Sequence, residues 1–175
     1  MISILLLVIA AGVSDQCSIE PVYDEALLEQ SKTLLLELES IPDGIVVTHV
    51  PVEVEATQAE GSAYKYKWDY QTSVSSSRGS VRILEFGCFL WSGDQWVFKT
   101  FTGTRFTNSD FRDWYTCPDG ELVAGQQYTD PNNWTGSNCL RPQKTMWFYI
   151  GENENGEKVK GTAIVQSLAK VMAAP

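Results

Sequence analysis

The sequence predicts a mostly β fold: an antiparallel β-sandwich or barrel with a single N-terminal helix packed on it. Three observations carry this expectation. Over residues 64–74, aromatic and aliphatic residues alternate with polar ones, the period-two signature of a strand with one buried face. Residues 81–91 and 145–165 are rich in β-branched and aromatic residues and are bounded by turn sequences. Helical spacing is clear at one main place, residues 24–39. The alternative is an α+β roll, with a helix in the concavity of one strongly bent sheet, because one helix followed by a run of strands permits both.

The elements follow in order. Leu27, Leu28, Leu34, Leu35 and Leu38 fall on one helical face, Asp24 suits the N-cap, and Pro42-Asp43-Gly44 stops the helix. Residues 45–55 read as a strand in which Val46, Val50, Val52 and Val54 oppose His49, Glu53 and Glu55; Pro51 makes it an edge or bulged strand. In the strand of residues 64–74, Tyr64, Tyr66, Trp68, Tyr70, Thr72 and Val74 share a face suited to a core. Val81 to Trp91 is apolar on both faces and should be central; turns at 75–79 and 92–94 join it to its neighbours as a meander. Residues 145–152 and 157–165 form a hairpin around Asn153–Gly156, and the tail from Ser167 reads as a short helix or a frayed end.

Residues 103–144 break the pattern. They are long, polar and rich in Asn, Asp, Gly and Pro, yet carry Phe106, Phe111, Trp114, Tyr115, Tyr128 and Trp134. Thr107 and Asp110 stand at capping-box spacing, so one helical turn is expected there, and a short strand near residues 122–128. Long segments of this kind are often functional.

Composition bounds the function. The 175 residues suit one domain, and the 43% hydrophobic content, with six Trp, supports a core. A net charge of −9 with scattered basic residues argues against nucleic acid and against anionic lipid surfaces. Residues 1–14 resemble a secretory signal, an apolar run closed by Ala10, Ala11, Gly12 and Ser14, although no basic residue precedes Lys32. Residues 15–175 are then one globular domain that is secreted or periplasmic, with no stable membrane insertion after processing. Lipid attachment at Cys17 is disfavoured by Asp15 and Gln16 in front of it. In an oxidising compartment the four cysteines suggest disulfides: Cys117 with Cys139 across the irregular segment, and Cys17 with Cys88. A zinc site is not expected, because no C-x-x-C occurs and His49 is the sole histidine.

No catalytic motif stands out. His49 is the only base that could activate a nucleophile, and its strand position places it on the polar face. Asp110 and Asp113, one helical turn apart, and Glu85, in an apolar strand, are the carboxylates that could serve a hydrolase. Asp119, Asp130, Asn132 and Asn133 could offer oxygens to calcium but read more simply as turn residues. Asn133-Trp134-Thr135 is an N-glycosylation sequon, relevant only in a eukaryotic secretory pathway. The aromatic residues of the long segment carry the leading expectation. Trp114, Tyr115, Tyr128 and Trp134, among Asn, Asp, Gln and Thr, suit stacking on a sugar face or anchoring a protein; the competing expectation is that these rings form a satellite core stapled by the disulfide. The favoured function is therefore a non-enzymatic exported binding module for a glycan or protein. The alternatives are a hydrolase using paired carboxylates, and an interaction or inhibitory protein without a small ligand.

Overall fold

The structure, a computed structural model, describes residues 23–59 and 61–173. The expected signal sequence and Cys17 lie outside the described residues. The chain forms helix α1 (Glu25–Ser40), β1 (Ile45–Val50), β2 (Glu53–Gln58), β3 (Tyr66–Ser76), β4 (Val81–Trp91), β5 (Trp96–Phe98), β6 (Phe106–Thr107), helix α2 (Asn108–Tyr115), β7 (Glu121–Leu122), β8 (Gln127–Ser137), β9 (Gln143–Asn153) and β10 (Lys158–Val171). The strands make one ten-stranded sheet ordered β1-β3-β2-β10-β9-β4-β5, with β8 on the far side of β3 and with β6 and β7 beside β4. The sheet curls into a half-barrel, so the β-rich fold with a helix packed on it holds.

Each face of the curl has its own core. On the inner face, Trp68, Tyr70 and Val74 of β3 meet Val81, Ile83 and Phe86 of β4 and Trp147 and Tyr149 of β9. On the outer face, Leu34, Leu38 and Ile41 at α1 pack against Phe89, Phe98, Phe148 and Ile150. The alternation of β9 explains both: Trp147 and Tyr149 point in, Phe148 and Ile150 point out, and all four are buried. The Asp24 side chain accepts from the Leu27 N–H at 2.7 Å and starts α1. Ser31, buried in mid-helix, donates to the Leu27 carbonyl and accepts from the Phe98 N–H at 2.9 Å, tying α1 to β5.

Several expectations are corrected by the pairing. The 45–55 strand is two strands separated by the cis Val50–Pro51 bond; β1 pairs with the C-terminal half of β3, and β2 turns to run parallel with β10. The buried face of β1 is Ile45 and His49, while Val46 and Val50 are exposed, so its predicted polarity is inverted. The meander holds only for β4 and β5: β3 pairs with β1, β2 and β8, and the second long partner of β4 is β9. A bulge between Ile83 and Glu85 switches the faces of β4 halfway, so Val81 and Ile83 share the inner face with Phe86 and Cys88. The tail continues as β10 to Val171 rather than turning helical.

Candidate functional site

Residues 103–144 are not irregular. Thr107 caps α2 through a complete capping box: its N–H and hydroxyl donate to Asp110 Oδ2 at 2.7 Å, and its Oγ1 accepts from the Asp110 N–H. Asn108 Nδ2 donates to the Ile83 carbonyl at the β4 bulge at 2.7 Å, which plants the helix on the inner face. From there Phe111 and Tyr115 enter the core, stacked 4.3 Å apart. The 3-10 turn Pro118–Gly120 leads to β7, and β8 follows as a full eleven-residue strand along β3.

The register of β8 contains the decisive feature. Tyr70 of β3 faces Asn133, whereas Thr72, two residues on, faces Asp130, three residues back. The extra residue is a bulge at Pro131-Asn132. In a regular strand Asp130 and Asn133 would point to opposite faces. The bulge turns both inward, at 9% and 6% exposure, and lifts Asn132 to the surface.

Below them lies a buried polar network. Asn133 Nδ2 donates to Thr72 Oγ1 at 2.8 Å, and Thr72 also lies 3.0 Å from His49 Nδ1. Trp147 Nε1 donates to the Tyr70 hydroxyl at 2.8 Å, and the Tyr115 and Tyr149 hydroxyls share a short hydrogen bond. Burial raises the pKa of all three tyrosines, keeping these hydroxyls protonated and neutral. Asp130 Oδ1 accepts from the Asn132 N–H at 2.9 Å, and burial raises its carboxyl above the ordinary value, opposed in part by that hydrogen bond.

Above the network the half-barrel opens into a cavity of about 640 Å³. Its aromatic wall includes Trp114, Phe101, Phe106 and Trp147. Trp114 lies 4.6 Å from Phe106 and stacks at 6.0 Å on Phe101, which is 72% exposed at the mouth. Its polar wall includes Asp130, Asn133, Asn132, Asp113, Gln143 and Lys99. The side chains of Asp113, Asn132, Gln143 and Lys99 make no hydrogen bond or ion pair among the described residues.

The sequence-predicted residues divide. Trp114 and Trp134 both line the cavity, though Trp134 projects from the other face of β8 to Asn133 and forms the rim, 5.8 Å from Tyr64 and under the Lys67 ammonium at 5.5 Å. Tyr115 is 2% exposed and sits in the inner core; Tyr128 packs partly buried on that core, and neither lines the cavity. The disulfide expectation is corrected: Cys117 and Cys88 are free buried thiols, so neither Cys117–Cys139 nor Cys17–Cys88 forms. The Cys117 Sγ lies 3.2 Å from the Glu121 carbonyl. His49 is 4% exposed on the inner face, not on the polar side.

The carboxylates are redistributed as well. Asp110 is consumed by the helix cap, and Glu85 points to the outer face, where Arg105 bridges it to Glu37 of α1. Asp113 remains at the cavity, joined by Asp130, which reads in sequence as a turn residue. Asp119 stands in the 3-10 turn and is not among the cavity-lining residues. The sequon asparagine is buried with both amide atoms engaged, Oδ1 accepting from the Trp134 N–H, which leaves no room for a glycan in the folded chain.

No family model matches the chain, and no curated protein matches it. Among solved structures, a Bordetella pertussis protein provisionally named ApaA matches 77% of this chain and 99% of its own at 12% identity, with a TM-score of 0.43. A likeness at that level carries no argument about fold or function.

Proposed function

We propose that this chain is an exported binding module whose half-barrel cavity holds a glycan. One observation supports the reading above the others: partly exposed aromatic rings and unpaired hydrogen-bonding side chains line one cavity. Sugars present an apolar ring face and a rim of hydroxyls, so a site for them needs both. The cavity volume is in the range of small-ligand sites. Asn132 and Gln143 offer both donor and acceptor, and Asp113 is an acceptor, as hydroxyl recognition requires.

The test is a titration of the folded domain with a panel of short oligosaccharides, read by tryptophan fluorescence and by thermal shift. A binder should raise the unfolding temperature by mass action. Trp134→Ala, at a ring already 38% exposed, should weaken binding about tenfold and leave the unfolding temperature within about 2 °C. Failure of every sugar to bind would direct attention to a protein partner.

One observation favours a second reading. Asp130 and Asp113 line the same cavity, and burial raises the Asp130 carboxyl above its ordinary value, the direction a general acid needs. This hydrolase reading expects turnover of aryl glycosides that is lost in both Asp130→Asn and Asp113→Asn; no turnover, or turnover surviving both changes, eliminates it.

A further inference from the structure

Resting on the glycan-binding reading, we propose that Asp130 is the anchor of the cavity for a cationic amine, so that the ligand is an amino sugar with a free ammonium group rather than a neutral or acetylated one.

The argument is one of charge and placement. Asp130 is nine-tenths buried, yet it lines the cavity wall. Its Oδ1 is held by the Asn132 N–H. Its Oδ2 has no hydrogen-bond partner among the described residues, and it is not one of the sealed, unpaired buried atoms, which are His49 Nε2 and Thr145 Oγ1. The oxygen therefore looks into the open space of the cavity. No cation pairs with it: the ion pairs among the described residues leave Asp130 out. The hydroxyls of Tyr70, Tyr115 and Tyr149 on the packed strands and helix feel its charge and are themselves neutral, so none supplies a counter-charge.

A buried carboxylate with no counter-charge is costly, and a cation delivered by a ligand relieves the cost. The surroundings suit an ammonium. Asp113 adds a second, unpaired carboxylate to the wall, against one lysine, Lys99, which is exposed. The aromatic rings of Trp114, Trp147 and Phe106 supply negative faces that attract a cation as well as apolar area for the sugar ring. The β8 bulge keeps Asp130 and Asn133, three positions apart, on the same inner face, so both line the cavity.

The experiment compares two probes on the full domain, the β-1,4-linked glucosamine disaccharide and its di-N-acetylated form, by calorimetric titration at about pH 6.5, where the amine is largely protonated. The expected result is tighter binding of the free amine by about tenfold or more, and loss of that preference in Asp130→Asn, with the acetylated form bound equally by both proteins. Acetylated sugar binding as well as or better than the amine overturns this inference while leaving the glycan reading in place. Neither probe binding overturns this inference and leaves the glycan reading to the oligosaccharide panel. Should Asp130→Asn fail to fold, the wild-type protein decides: affinity for the amine should fall on acidification as Asp130 takes up a proton, while affinity for the acetylated form stays flat. Parallel pH profiles for the two probes reject the proposal.

Discussion

Single residues in this chain are constrained by what lies opposite them. Gly161 of β10 sits under β1 so closely that an added Cβ would stand 2.3 Å from the Ile45 carbonyl oxygen. Gly161→Ala should cost about 2 kcal/mol, a drop of roughly 5 °C in unfolding temperature, measured by calorimetry. The thiols are inert for a related reason. Burial pushes Cys88 up to about 12 and Cys117 up to about 11. A thiol reagent at about pH 8 should label neither at an appreciable rate until the chain is unfolded in denaturant; rapid labelling of the native protein would contradict their burial. His49 and Asp130 give opposite pH dependences. Burial lowers His49 below its ordinary 6.5, with the Ala163 carbonyl opposing, so the unfolded chain binds its proton more readily. Its contribution is complete above that value and is lost as pH falls toward the folded pKa. Asp130 is raised, so its contribution is greatest in acid and is lost as pH climbs from the ordinary carboxylate range to the folded value. Unfolding temperature should therefore drop between about pH 7 and pH 5 chiefly through His49, and His49→Gln should flatten that part of the profile.

At the level of elements, local signals were legible and interrupted ones were not. The capping box Thr107-x-x-Asp110 was readable, and α2 forms there. Thr107→Ala should cost about 1 kcal/mol. Because Trp114 rides on the same helix, that variant should also weaken ligand binding, while Glu85→Gln on the outer face should not; the two titrations separate the helix from the sheet exterior. The length of β8 is not legible, because Asp130-Pro131-Asn132-Asn133 is turn chemistry by composition. Those residues serve a bulge instead, which bends a strand without ending it. The same insertion hid Asp130 as a cavity residue, since no periodic rule assigns it to a face. Trp114 and Trp134, conspicuous as aromatic residues in polar sequence, line the cavity; Tyr115 reads the same way in sequence, and only the helix phase sends it inward.

Across the whole molecule, residue patterning predicts strands, a core and an N-terminal helix packed on them, but not the order of the strands in the sheet. Pairing of β4 with β9, or of β3 with β8, joins residues some sixty positions apart. Nothing in the local alternation of either strand names its partner. Short turns at 75–79 and 92–94 look alike, yet only the second closes a hairpin. The curl itself places aromatic residues of one face into a shared interior and reserves the opposite face of β4, β5 and β9 for α1. The two cores lie on opposite faces of one sheet, and Arg105, next to Phe106 of the cavity wall, pairs with Glu37 of α1.

The bulge in β8 has a consequence for crowded solutions. Among the described strands β8 pairs only with β3, so its other margin is an open row of backbone donors and acceptors that a neighbouring molecule could zip onto. Pro131 removes one donor from that row and the kink spoils its repeat. Straightening this margin, by deleting Asn132 and replacing Pro131 with Val, should make the edge sticky, visible as concentration-dependent growth in particle size by light scattering relative to the unaltered chain.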